Sequence, residues 1–242
     1  MLMLNPQYSA ALLEDEQTLP PIIALIGSDG SGKSTLSADL TRILGHERPV
    51  MSCYLGLGSG DLGRRIGQLP LVGQYLDRVL TKRAKTTRSP GEKIPGPLTA
   101  LVVYGFSILR YLRFCRMQRA RQQGYTIVTD RFPQAEIPGM CDGPGLSVAR
   151  PGSRFVAALA RRERALYEKM AEVWPSLVIR LDIDPETAHS RKPDHDLGLL
   201  KAKAETITRL RFGAAPIISV DARKSYNEVL KRVVDLCKKK LT

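Results

Sequence analysis

Gly27-Ser28-Asp29-Gly30-Ser31-Gly32-Lys33-Ser34 fits the pattern G-x-x-x-x-G-K-[ST], and its chemistry follows from its residue types. Glycines let the main chain curl until successive N–H groups point at phosphate oxygens, and a helix starting at once behind them adds its partial positive charge. Lys33 then neutralises β- and γ-phosphate oxygens, while the Ser34 hydroxyl is a hard oxygen ligand for Mg²⁺. Gly27, Gly30, Ser31, Gly32, Lys33, Ser34 and Thr35 are therefore the candidate nucleotide-binding residues. A second carrier of chemistry is Tyr125-Thr126-Ile127-Val128-Thr129-Asp130-Arg131, an apolar run ending in a carboxylate and a guanidinium. Asp130 suits Mg²⁺ or its water, and Arg131 suits a transferring phosphoryl group or an anionic acceptor. A plain strand-end ion pair is the alternative reading of those two residues. No guanine-reading N-K-x-D segment occurs, so ATP is expected rather than GTP.

These residues need elements to hold them. Residues 22–26 form a short apolar run rich in β-branched side chains, as in a strand buried on both faces of a parallel sheet. Residues 33–44 resume with Leu36, Leu40, Ile43 and Leu44 at helical spacing, so the glycine motif lies between strand and helix. Further strands are expected at 50–55, 126–129, 177–181 and 216–220, with helical patterns between them. That alternation predicts an α/β fold with a parallel sheet covered by helices on both faces. Residues 86–97 read as a long surface loop.

Two helical stretches need weighing. Residues 98–122 carry no charge as far as Leu109, then Arg110, Arg113, Arg116, Arg119 and Arg121. A membrane-surface helix and a core helix with a cationic C-terminal end both fit, and the shortness of the uncharged run favours the core. In 155–174, Phe155, Leu159, Leu166, Met170 and Val173 share one face and read as core packing.

The 242 residues are 43% hydrophobic and 25% charged, an ordinary globular composition. No run of about 20 apolar residues is seen. Cys53, Cys115, Cys141 and Cys237 are scattered without metal-ligand spacing and read as free thiols. The cytoplasm is the expected address, with a membrane-peripheral one left open. Of the net charge of +13, +11 falls between residues 64 and 123, which hold thirteen basic residues against two acids. An anionic acceptor or an anionic membrane surface is the partner this implies; nucleic acid is not expected, because the basic residues alternate with aliphatics at core spacing.

The chain resembles the thymidylate-kinase-like group of P-loop nucleoside and nucleotide kinases. The resemblance rests on IALIGSDGSGKST, TDRF at 129–132, PSLVIRLDIDPETAHSRK at 175–192 and VDARKSYNEVLKRV at 220–233, in the family's order. It implies a three-layer P-loop fold over 21–242 behind a flexible leader of 1–20, with a five-stranded parallel sheet. It further implies a lid near 187–200; the basic, apolar stretch at 60–124 is read from its own residues as an acceptor-side region. The same resemblance gives Arg191, with Lys192 and Arg180, contact with the phosphates being transferred, makes Asp29 face the acceptor, and puts the adenine beside Asp221-Ala222-Arg223. A homodimer is also among its implications. His195, in a polar loop, is left outside the site.

The chain departs from that family after the second strand, where Tyr54-Leu55-Gly56-Leu57-Gly58-Ser59-Gly60-Asp61 has neither the expected arginine nor the expected acid. The irregular stretch 133–145 also differs, and there Glu136 and Asp142 are candidates for binding a hydroxyl-rich acceptor. The expected activity is ATP- and Mg²⁺-dependent transfer of the γ-phosphoryl group to a small-molecule acceptor, with Lys33, Asp130, Arg131 and Arg191 as catalytic residues. A nucleotide or nucleoside is the first acceptor class and a sugar or lipid-linked saccharide the second. A nucleotide-regulated module that binds a membrane or nucleic acid without transfer activity is the reading from a different class.

Overall fold

The computed structural model describes residues 19–56, 96–148 and 150–241. Most of the expected leader, the 60–95 part of the basic region, and Gly58, Gly60 and Asp61 lie outside the described residues.

β1 (Ile22–Gly27) occupies the centre of a five-stranded sheet because both its faces are apolar. Ile23 and Leu25 enter one core while Ile22, Ala24 and Ile26 enter the other, and all five are buried. Burying each of the larger ones contributes about 1.5–3 kcal/mol. The other strands are β2 (Val50–Tyr54), β3 (Thr126–Asp130), β4 (Leu177–Asp182) and β5 (Ile217–Asp221), in the order β2-β3-β1-β4-β5. All four pairings are parallel. From β1 the chain passes beyond β3 to reach β2, and later returns on the other side through β4. The strand order therefore reverses at β1, which opens a crevice beyond the carboxyl ends of β1 and its neighbours.

Helices cover both faces. α1 (Lys33–Leu44) packs Leu36, Leu40 and Leu44 against one face, joined by Val229, Val233 and Cys237 of α6 (Tyr226–Leu241). The other face takes Phe114, Met117 and Ala120 from α2 (Pro97–Gln122) and Tyr167 and Met170 from α3 (Arg154–Ala171). Two further helices, α4 (Pro185–Arg191) and α5 (Leu197–Arg209), follow β4, capped by the carboxylates of Asp184 and Asp196.

The two helices weighed from sequence both pack within the domain, the second rotated from the expected stripe. α2 is long and apolar enough, by length and composition alone, to cross a membrane, because its apolar character continues past Arg110. It nevertheless packs on α3, with Arg110, Phe114 and Met117 buried, while Leu98, Leu101 and Leu112 stay half-exposed or more. In α3 the buried line runs through Val156, Leu159, Glu163, Tyr167 and Met170, and Phe155 is exposed. The helix is rotated from the expected stripe because α2 supplies polar partners for Glu163 and Tyr167. Ser107 Oγ donates to Glu163 Oε1 over 2.7 Å, and Arg110 Nη1 donates to the Tyr167 hydroxyl over 3.1 Å.

Candidate active site

The loop between β1 and α1 fills the crevice. Gly30 and Gly32 have φ of 85° and 86°, a left-handed backbone that L side chains rarely adopt. A Cβ on Gly30 would also lie 2.8 Å from the carbonyl oxygen of Ala188, whereas one on Gly32 would meet nothing within 4 Å. The loop is thus pressed against α4 on one side and open on the other. Gly32 caps α1 without any side-chain bond, and no acid occupies the first turn. The helix dipole and its first amides are directed to an anion from outside the helix. Lys33 Nζ lies back on the loop, donating to the carbonyls of Gly27 (2.8 Å) and Ser28 (2.6 Å). Dense surrounding protein disfavours its charge and draws its pKa from 10.5 to about 8.

At the edge of the loop, Ser34 Oγ donates to Asp130 Oδ2 over 3.1 Å. The register of the sheet makes that meeting possible, since Asp130 ends β3 directly opposite Leu25 of β1. Burial raises the pKa of Asp130, opposed by the Ser34 bond and by Arg131 and Lys33. A hydroxyl and a carboxylate side by side are the hard oxygen donors that Mg²⁺ takes from protein while phosphates and water supply the rest. Among the described residues there is no cluster of three or more metal-ligating side chains that would form an all-protein cage. Ser34 and Asp130 fit Mg²⁺ on those terms.

Beyond Lys33 lies a cavity of about 180 Å³ lined by Asp29, Lys33, Arg131, Cys141, Asp142 and Lys203, with Phe132, Ile207, Leu210 and Phe212 as apolar wall. Among the described residues, the four non-glycine residues of positive φ are Arg131 (58°), Cys141 (45°), Asp142 (67°) and Phe212 (53°), and every one lines this cavity. Such conformations cost of order 1–3 kcal/mol each and persist where the surroundings over-determine them, most often at functional sites. For Asp142 the determining partner is Arg110, whose Nη1 and Nη2 donate to its carbonyl and to Oδ1, both over 2.7 Å. Arg131 reaches toward Asp29 and Asp142 at 3.7 and 4.0 Å. Asp29 is held by Lys203 of α5. Burial would raise the Asp29 pKa, but the Lys203 ion pair and hydrogen bond prevail, with help from Lys33 and Arg131, and hold it at about 2.

The segment after β4 leans over the loop. Arg191 Nη1 donates to the carbonyl of Ala222 over 3.1 Å and approaches that of Gly30 at 3.4 Å. With Ser31, Gly32, Leu36, Lys224, Tyr226 and Val229 it lines a second cavity of about 120 Å³ on the open side of the loop. Arg191 and Ala222 are thus brought to one place. Lys192 is exposed at the end of α4, and Arg180 turns elsewhere, donating to Asp182 Oδ1 (2.9 Å) and Ser219 Oγ (2.7 Å). His195, which sequence reading left outside, has Nδ1 3.6 Å from Asp29 Oδ2.

Glu136 faces away from the cavity. Its two oxygens accept the amides of Arg211 (2.8 Å) and Phe212 (2.6 Å), so it ties the 133–145 stretch to the chain leaving α5. Gln134, 1% exposed, organises the same stretch through Ile137 and Met140. Lys203 and Arg110 were not found from sequence. Lys203 lies 174 residues from its partner, in a helix with no motif, and Arg110 was read only as one of a row of helix-end cations. An isolated arginine at a position facing the core was the one available signal.

No family model matches the chain. It is 44% identical over 215 residues, 88% of its length and 85% of the relative's, to the uncharacterized ATP-binding protein YghR of Escherichia coli strain K12. To the uncharacterized ATP-binding protein YghS of the same strain it is 42% identical over 211 residues, 87% of this chain and 89% of that one. A solved structure of deoxyadenosine kinase from M. mycoides, with the products dCMP and a flexible dCDP bound, superposes with a TM-score of 0.49. It has 15% identity and covers 90% of this chain and 99% of that one.

Proposed function

The chain belongs to the family of the ATP-binding proteins YghR and YghS, and from that premise we propose that it is an ATP- and Mg²⁺-dependent phosphotransferase that passes the γ-phosphoryl group to a small-molecule acceptor. The observation that carries this reading is the arrangement of Lys33, the Ser34–Asp130 pair and Arg131 around one loop, with a cavity on either side of it.

In this reading ATP enters from the side of Arg191, Ala222 and Tyr226, with its phosphates on the loop amides and the start of α1. Lys33 leaves the Gly27 and Ser28 carbonyls for the phosphate oxygens, which relieves the desolvation of its ammonium group. Ser34 and Asp130 would hold Mg²⁺, which would supply neutralisation of negative charge on the transferring phosphates. The acceptor occupies the cavity of Asp29, Arg131 and Asp142. From there its attacking oxygen faces the γ-phosphoryl group, and Arg131 stabilises the charge spread over the equatorial oxygens. Asp130 would accept the proton of an alcohol acceptor; a phosphate acceptor needs no base. Arg191 and the 192–196 connection close the nucleotide side and limit access of water to the transferring group.

The first acceptor class to test is nucleotides and nucleosides, and sugars or lipid-linked saccharides come second. The test is ADP release by the full chain, with Mg²⁺, across those four groups. Acceptor-stimulated release that disappears in Lys33→Ala supports the reading. If ATP binds and no acceptor raises release above background, the phosphotransferase reading fails.

A further inference from the structure

α2 presents its outer face in a way that packing among the described residues does not explain. Leu98, Leu101, Ile108 and Leu112 are 67, 50, 38 and 58% exposed. With Gly105 they follow spacings of three and four residues, so they form one stripe about 21 Å long at 1.5 Å per residue. The stripe continues on the same face into Arg116 and Arg119, both exposed. Beside the start of α2, Val148 and Phe155 are exposed as well, at 54 and 51%. An apolar strip of this length on a soluble domain marks an interaction surface.

The charge of the helix identifies the occupant. α2 carries five arginines and no acid along its 26 residues. Two of the five face inward, Arg110 to Asp142 and Arg121 to the carbonyl of Pro20, and Arg113 is turned to the carbonyl of Gly56. Arg116 and Arg119 pair with no carboxylate among the described residues and are left for an external anion. A second copy paired in parallel would set arginine against arginine, and one paired antiparallel would offer Arg116 and Arg119 no carboxylate on its own α2. A bilayer-spanning role is excluded by the inner face, where Ser107 and Arg110 bind α3 and the 142–146 turn. An apolar stripe flanked by arginines matches a surface that is apolar in depth and anionic at its face.

We propose that the outer face of α2 docks on an anionic lipid bilayer, with Leu98, Leu101, Ile108 and Leu112 in the boundary between headgroups and acyl chains and Arg116 and Arg119 on lipid phosphates. The helix lies in the plane of the membrane. Its opposite face holds Asp142 through Arg110, so docking sets the polar cavity one helix diameter from the lipid surface. This inference does not depend on phosphoryl transfer and extends the proposed function by placing it at a membrane.

The test is co-sedimentation of the full chain with vesicles of phosphatidylcholine alone and of phosphatidylcholine with 30% phosphatidylglycerol, at low and high salt. Binding at least tenfold tighter to the anionic vesicles, and weakening with salt, is expected. Leu101→Gln with Leu112→Gln should reduce binding about tenfold while nucleotide affinity and the circular dichroism spectrum stay unchanged. Arg116→Gln with Arg119→Gln should remove most of the salt dependence. Equal sedimentation with and without anionic vesicles overturns the proposal, as does a stripe variant that binds vesicles like the original. A dimer in sedimentation velocity that the stripe variant dissociates, without vesicle binding, assigns the face to a second copy instead.

Discussion

Lys203 on α5 donates to the carboxylate of Asp29 in the phosphate loop, joining residues 174 apart in sequence. The pair ties α5 to the loop that curls at the end of β1. It also leaves Asp29 ionised in a place where burial alone would favour its neutral form.

That relationship has a signature in pH. The Asp29 pKa falls from 3.8 to about 2 on folding, so its contribution is complete above the unfolded value and is lost as pH drops through the folded one. Lys203→Ala should lower stability by about 2 kcal/mol near neutral pH. The difference between variant and original should close between about pH 4 and pH 2. Urea unfolding at a series of pH values checks this; a difference that stays constant down to pH 2 would remove Asp29 as its source.

Lys33→Ala should cut turnover by about a thousandfold or more, since a cation aimed at the transferring phosphates stabilises charge that develops only in the transition state. Stability should be unchanged or slightly raised, because a desolvated ammonium is removed with it. Calorimetric melting beside single-turnover kinetics separates the two effects.

Asp130→Asn should leave the fold intact, keeping an oxygen for the Ser34 hydroxyl at the position now 3.1 Å away. It should raise the Mg²⁺ concentration for half-maximal turnover at least tenfold and lower the maximum by about 10²–10³. Ser34→Ala should shift the Mg²⁺ requirement in the same direction. A Mg²⁺ titration of turnover in all three proteins decides it, and unchanged half-saturation would take both residues out of the metal site.

The two left-handed glycines at 30 and 32 should separate under substitution. Gly32→Ala meets open space and costs only the backbone term, about 1–2 kcal/mol. Gly30→Ala adds a collision with the Ala188 carbonyl and should cost more, with the loop displaced from α4. Melting temperatures should rank the original above Gly32→Ala above Gly30→Ala; the reverse order would mean that the loop is not pressed on α4.

Much of this molecule could be read from its linear pattern, because local rules set it. Apolar, β-branched runs of five or six residues with no room for solvent on either face make parallel strands, and Leu36, Leu40 and Leu44 at helical spacing make α1. The motif at 27–34 carries its own geometry, since glycine alone adopts the turns it needs without strain. The meeting of Ser34 with Asp130 followed once a buried strand was seen to end in a carboxylate.

What the tertiary structure decided are the pairings that no local rule contains. Whether Arg110 caps a helix or pins Asp142 depends on how α2 and α3 rotate against each other, a balance of packing and buried hydrogen bonds between segments far apart in the chain. Glu136 is drawn to the Arg211 and Phe212 amides, and Lys203 to Asp29, for the same reason. A charged side chain in sequence records only that it needs a partner, and only the folded chain determines which partner lies within reach.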